Sequence, residues 1–333
     1  MPDPAAVPDF TLLPDLALRT VGGSVVWAND ETFAEKENLI RPEPPGHRGA
    51  TFGNKGQVYD GWETRRRQEA GVDEAIIRLG IPGVIYGVVV DTAWFKGNYP
   101  SSVSVSALAV EGYPSADELA TRNDWTTILD HVKVYGDTKN TFDVRSDRRW
   151  THVMLSLHPD GGVARLRVHG IGRPDPDLLE FGPIDLAALE NGAVVMECSN
   201  RFYSSPQNLL APGMPRFMGD GWETARRRDN GNDWVEIRLA GLGLVRRVEL
   251  DTSYFLGNSP AAAQLTGRTA EGDWIELLAR TRLMPDTRHR FRVSADRPVS
   301  QARLDIYPDG GLARVRLWGD LKPEDLADNQ LGP

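Results

Sequence analysis

The sequence predicts an all-β protein made of two β-sandwiches in tandem, with few short helices. Three observations lead there: a long internal repeat, apolar residues that alternate with polar ones, and turn signals set a few residues apart. The repeat is clearest in Asp60-Gly61-Trp62-Glu63-Thr64, followed by Arg65, Arg66 and Arg67. It returns as Asp220-Gly221-Trp222-Glu223-Thr224, followed by Ala225, Arg226, Arg227 and Arg228, at an offset of 220 − 60 = 160 residues.

The same order of matches runs through both halves. Asp15-Leu16-Ala17 and Asn38-Leu39 match Asp185-Leu186-Ala187 and Asn208-Leu209 at an offset of 208 − 38 = 170. Asp91-Thr92-Ala93-Trp94-Phe95-Lys96-Gly97-Asn98-Tyr99-Pro100 matches Asp251-Thr252-Ser253-Tyr254-Phe255-Leu256-Gly257-Asn258-Ser259-Pro260 at 160, and from Trp125 against Trp274 the offset is 274 − 125 = 149. The two changes of offset place extra loops of the first copy between Arg41 and Tyr59 and near Tyr113 to Asn123, where exposed backbone tolerates insertion. The expected organisation is a tail over 1–14, a first repeat over 15–171, a linker over 172–182, a second repeat over 183–320 and a tail over 321–333.

Each unit reads as strands. Val235, Ile237 and Leu239 alternate with Glu236 and Arg238, the period of a half-buried strand. Val84 to Val90 is a more continuous apolar run, rich in β-branched residues, and suits a central strand. Turns are expected at Gly80-Ile81-Pro82-Gly83 and at the two Pro-Asp-Gly-Gly runs, 159–162 and 308–311. Pro183 to Glu190 is the best helical stretch.

The length, 333 residues, fits about two domains, and 38 basic against 47 acidic residues leave a formal charge of −9. No general affinity for nucleic acid or an anionic membrane is expected. Cys198 is the single cysteine, so no intrachain disulfide can form. Met1 to Ala5 has neither the basic nor the apolar part of a signal peptide, and no apolar run spans a membrane, so a cytoplasmic location is expected.

Familiar motifs for metal, phosphate or serine-hydrolase chemistry are absent from the sequence, and the repeat supplies the candidates instead. Glu63 and Glu223, with Asp60 and Asp220 beside them, are the expected catalytic carboxylates, because a neighbouring indole can desolvate a carboxyl group and raise its pKa. Trp62, Thr64, Trp222 and Thr224 are expected to line the pocket, and Arg66, Arg67, Arg226 and Arg227 to clamp an anion. Asn98 and Asn258 lie at a loop edge, where binding groups collect. His289 stands beside Arg288 and is a further proton carrier, although its counterpart, 289 − 149 = 140, is Asn140. Asp160 and Asp309 are read as turn formers, and Arg165, Arg167, Arg314 and Arg316 as a solvated strand face.

The three repeated motifs, each present twice and in order, resemble the signature of the allantoicase (allantoate amidinohydrolase) family from about Leu16 to Gly319. The resemblance implies tandem jelly-roll sandwiches of the galactose-binding type, and hydrolysis of allantoate to ureidoglycolate and urea in the breakdown of allantoin. Under it an Arg would hold the carboxylate, an Asn would read a ureido group, and Glu with His289 would move protons. It implies no cofactor, although scattered Asp, Glu and His leave a divalent metal open, and a homo-oligomer is expected. The rival from another class is a tandem carbohydrate-binding module, and the third reading is a scaffold without activity.

Overall fold

The computed structural model describes residues 9–47, 49, 51–175, 179 and 182–322. Parts of the expected linker and of both tails lie outside the described residues. The chain divides into two compact units, one from Asp15 to Gly170, the other from Ile171 onward together with the segment before Asp15.

In the first unit a 19-residue strand, Asp73–Asp91, serves both ends of the sandwich. Its first half pairs antiparallel with Ser24–Ala28 and Trp150–His158, and its second half pairs antiparallel with Lys139–Asp143 and also pairs with Arg165–Gly172. The strand Ser102–Leu108 lies between Trp150–His158 and Thr126–Lys133 and completes the sheet. Ile76, Ile77, Val88, Val90, Val103, Val153 and Leu155 are wholly buried and form the core. The second unit repeats this plan on the strand Asp233–Asp251, whose halves pair with Val194–Cys198 and Val299–Tyr307, then with Arg288–Arg292 and Arg314–Leu321. Val235, Ile237 and Leu239 face inward as their alternation requires. The all-β class and the twofold jelly-roll organisation expected from the sequence are observed.

Two local expectations are corrected. Gly80-Ile81-Pro82-Gly83 is not a turn: the strand runs straight through it. Register against Trp150–His158 slips between Arg78 and Gly83, so the Gly and Pro mark the irregularity at which one long strand changes partners. Pro183 to Glu190 is not a helix either. Ile184–Asp185 pairs with Trp318 and Gly319, and a single 3-10 turn, Leu189–Asn191, follows. An α-helix does form at Ala116–Thr121, inside the expected second insertion, where Ser115 and Glu118 make a capping box.

Candidate active site

The Trp-Glu dipeptide forms a two-residue strand in each repeat. Trp62–Glu63 pairs with Gly162–Val163, and Trp222–Glu223 with Gly311–Leu312. Both indoles are wholly buried and donate through Nε1 to a backbone oxygen, Asp30 in the first repeat at 2.8 Å and Asn200 in the second at 2.9 Å. The glycine before each indole is required by space. A Cβ on Gly61 would lie 2.6 Å from the Phe95 ring, and one on Gly221 would lie 2.5 Å from the Leu312 oxygen. Thr64 and Thr224 are also buried, each hydroxyl accepting from the backbone N–H of Gly161 or Gly310 at 3.1 and 3.0 Å. The two Trp and two Thr therefore have no surface for a ligand in this conformation. They anchor the segment so that the following carboxylate is held rigidly.

Those carboxylates meet the two asparagines. Asn98 Nδ2 donates to Glu63 Oε1 at 2.5 Å, and Asn258 Nδ2 donates to Glu223 Oε1 at 2.6 Å. Each asparagine is fixed through its own backbone oxygen, which accepts from Gly162 N at 2.7 Å or Gly311 N at 2.8 Å. Glu63 is 7% exposed, and its second oxygen, Oε2, is buried without a hydrogen-bond partner. Burial raises its pKa above the ordinary carboxylate value, with the Asn98 hydrogen bond acting in the opposite sense. The sequence reading brought Glu and Asn to one site by residue type alone, and the fold brings them into direct contact twice.

The arginines separate into three groups. Arg67 is committed to the buried Asp73 at 2.5 Å and Arg227 to the buried Asp233 at 2.8 Å, while their backbone N–H groups donate to Asp160 and Asp309. Asp160 and Asp309 are thus turn residues with a structural duty. Arg66 and Arg226 are exposed and carry no ion pair among the described residues. The solvated strand face expected for Arg165, Arg167, Arg314 and Arg316 is not what forms. Arg165 is 1% and Arg314 5% exposed, because segments packed over the strand supply carbonyl acceptors. Arg165 donates to Asp60 O, Glu43 O and Asp60 Oδ1, and Arg314 donates to Asp220 O at 2.7 Å. Burial pushes the Arg314 guanidinium down to about 10, with Arg316 adding to the effect and Asp220 opposing it.

Asp60 and Asp220 belong to these ion pairs. Asp60 Oδ2 accepts from Gly46 N at 2.8 Å and Oδ1 from Arg165 at 2.9 Å. Asp220 is gripped by both arms of Arg216 at 2.8 and 3.0 Å. His289 has both ring nitrogens engaged by backbone: Nε2 accepts from Met284 N at 2.9 Å, and Nδ1 lies 3.1 Å from Leu250 O. Asn140 does the same work in the first repeat, Oδ1 accepting from Tyr135 N at 2.9 Å and Nδ2 donating to Val90 O at 3.1 Å. A carboxamide and an imidazole that make the same pair of bonds at the same position share a structural role.

A cavity of about 420 Å³ is lined by Phe33, Ala34, Asn38, Arg41, Tyr59 and Asp60 among others, and borders the Glu63 backbone rather than its carboxylate. The backbone N–H groups of Phe33 and Ala34 donate to Glu63 O, so the wall of the cavity and the Glu63 strand are one unit. Arg41, Asn38 and Tyr59 are missing from the residues singled out by sequence. The signal was there, in the change of offset from 170 to 160 across Arg41 to Tyr59. Among the described residues, no group of three or more His, Cys, Asp or Glu is gathered as a metal site, and no helix is long and apolar enough to cross a membrane.

With this geometry in view, the chain was compared with known proteins. A family model described as the allantoicase repeat matches residues 14–173 and 184–322. A probable allantoicase of Nocardia farcinica is 67% identical over 321 residues, covering 96% of this chain and 98% of its own. An allantoicase of Dictyostelium discoideum is 40% identical over 311 residues, covering 89% and 84%. Among solved structures, the allantoicase of Saccharomyces cerevisiae superposes with a TM-score of 0.80 at 36% identity, with 92% of each chain covered.

Proposed function

The chain belongs to the allantoicase family, and from that premise we propose that it hydrolyses allantoate to ureidoglycolate and urea, a step of purine degradation. The observation that carries the reading is the duplicated Glu–Asn contact, with one Glu63 oxygen held by Asn98 and the other buried and unpartnered.

Allantoate bears a carboxylate and two ureido groups on one carbon. Urea is a poor leaving group unless its nitrogen is protonated as the C–N bond breaks. A carboxyl group of raised pKa is suited to give that proton. The lone pair of the remaining ureido nitrogen fills the carbon left behind. Water then adds there and returns a proton to the carboxylate, which balances the reaction and restores the acid. Asn98 or Asn258 keeps one carboxyl oxygen in place and can offer its amide to a ureido group. Arg66 or Arg226, exposed and without an ion pair among the described residues, can hold the substrate carboxylate. His289 ties a turn in this scheme and carries no proton.

The test is urea release from allantoate by the full chain, with Glu63→Gln and Glu223→Gln made in turn. At least one is expected to lose about 10²-fold or more in turnover, the usual range for a positioned acid or base. Full turnover in both variants sinks the assignment.

A further inference from the structure

The repeats share the Glu–Asn pair and differ in what surrounds it. Arg41 to Tyr59 in the first repeat stands against Ala211 to Gly219 in the second, which is ten residues shorter by the change of offset, 170 − 160. The longer segment supplies most of the cavity lining, Gly53 through Asp60, and places Arg41 at its edge. The position of Arg41 in the second repeat, 41 + 170 = 211, is Ala211.

We infer that turnover is confined to the first repeat, where Arg41, and not Arg66, which does not line the cavity, holds the substrate carboxylate in the space walled by Gly53 to Asp60. The inference rests on the allantoate reading and names the site and the specificity residue within it.

The state of the guanidinium groups carries the argument. Arg41 reaches its carboxylate neighbours only loosely, at 3.6 Å to both Asp60 and Glu43, and its side chain is 42% exposed. Asp60 does not depend on Arg41, because Gly46 N and Arg165 already fill its oxygens. The fork of Arg41 also donates to Asn38 Oδ1 at 3.3 Å, so its contacts are all long ones that two parallel hydrogen bonds to a planar carboxylate would replace. In the second repeat the nearest equivalent cation, Arg216, spends its fork on Asp220 at 2.8 and 3.0 Å. The acids differ in the same direction. Glu63 is buried, whereas Glu223 is half-buried and its asparagine also lies 3.3 Å from Met218 Sδ.

Volume and chemistry agree with a small polar ligand. About 420 Å³ falls in the usual range of small-molecule sites, roughly 300–1,000 Å³. Asn38, Gln57 and Tyr59 make the lining polar, with Asn38 Nδ2 donating to Gly61 O at 2.9 Å and the Tyr59 hydroxyl donating to Gln57 Oε1 at 3.3 Å.

The experiment has two arms on the full chain. Allantoate is titrated calorimetrically into Glu63→Gln, and urea-release kinetics are measured for Arg41→Ala and Arg41→Lys, with melting temperatures checking the fold. One allantoate bound per chain is expected, with urea release slowed about 10²-fold or more. Arg41→Ala is expected to raise KM about tenfold or more with kcat changed less than about threefold, the pattern of lost uniform binding. Arg41→Lys should recover part of KM, because it restores charge without the fork. Two allantoates bound per chain, urea release by Glu63→Gln above about half the unmodified rate, or an unchanged KM in Arg41→Ala would each overturn the inference. An unmodified chain that releases no urea refutes the allantoate reading, whereas urea release that survives Glu63→Gln or keeps its KM in Arg41→Ala refutes this inference alone.

Discussion

In the first repeat Glu63 is 7% exposed and its backbone borders a cavity walled by Gly53 to Asp60, whereas in the second Glu223 is half-buried and Arg216 closes on Asp220 at 2.8 and 3.0 Å. The frame beneath is unchanged. Trp62 and Trp222, Thr64 and Thr224, and Asn98 and Asn258 make matching bonds in both copies. The indole and threonine bonds end on backbone and the Glu–Asn bond joins two side chains, so a substitution at any of them leaves a polar group unpaired. The segment from Arg41 onward gives carbonyls to Arg165 and Arg167 at its start, and beyond that its length differs between the copies. Duplication thus fixed the acid and its holder twice and left the surroundings to decide which copy works.

The largest difference to measure on the frame itself lies in the buried aspartates. Asp73 is 1% exposed and, among the described residues, its carboxylate is hydrogen-bonded by Arg67 alone, while that of Asp233 is held by Arg227 and also by Ser199 Oγ at 2.8 Å. Removing one partner of a buried pair leaves an uncompensated charge. Arg67→Ala is expected to cost about 3 kcal/mol and Arg227→Ala about 2 kcal/mol, with Ser199 accounting for the difference. Urea denaturation of both variants checks the order, and equal losses would remove Ser199 from the account.

A second contrast is in acid. His152, 2% exposed, is buried in the first repeat, and its counterpart, 152 + 149 = 301, is Gln301. Burial, with the charge of Arg78 adding to it, lowers the His152 pKa to about 4 from 6.5. The unfolded chain takes up this proton below pH 6.5 and the folded chain does not until about pH 4, so stability falls as pH drops through that window and levels off beneath it. The loss is at most about 3 kcal/mol. His152→Gln, which copies the second repeat, should flatten that part of the stability profile, and an unchanged profile would show that other groups govern it.

How much of this was legible in the sequence depended on range. Alternation in Val235, Ile237 and Leu239 shows a strand, and the offsets among the repeats locate both insertions. Gly80 to Gly83 misled because a turn and an irregularity in a long strand use the same residues. The deciding factor there was the change of pairing partner at Gly83, a non-local event. Arg165 and Arg314 looked solvated because their alternation describes only their own strand. What buries them is carbonyl oxygen from the distant Asp60 and Asp220 segments. The change of offset marks the segment that begins at Arg41 but not Arg41 itself, since it has no arginine twin in the second repeat.

The smallest expected effect separates a structural from a chemical histidine. His289 and Asn140 accept from the backbone N–H of Met284 or Tyr135 and face Leu250 O or Val90 O with their second polar atom. An Asn side chain cannot carry a proton at neutral pH, yet it closes the turn in the first repeat with bonds of nearly the same length. His289→Asn should therefore keep kcat and KM within about threefold and stability within about 1 kcal/mol. His289→Ala removes both bonds and should cost more stability, about 1–2 kcal/mol, with turnover per folded molecule retained. If His289→Asn melts like the unmodified chain but loses tenfold or more in kcat, the imidazole has chemistry that its carboxamide twin lacks. The second repeat, not the first, would then hold the reacting site.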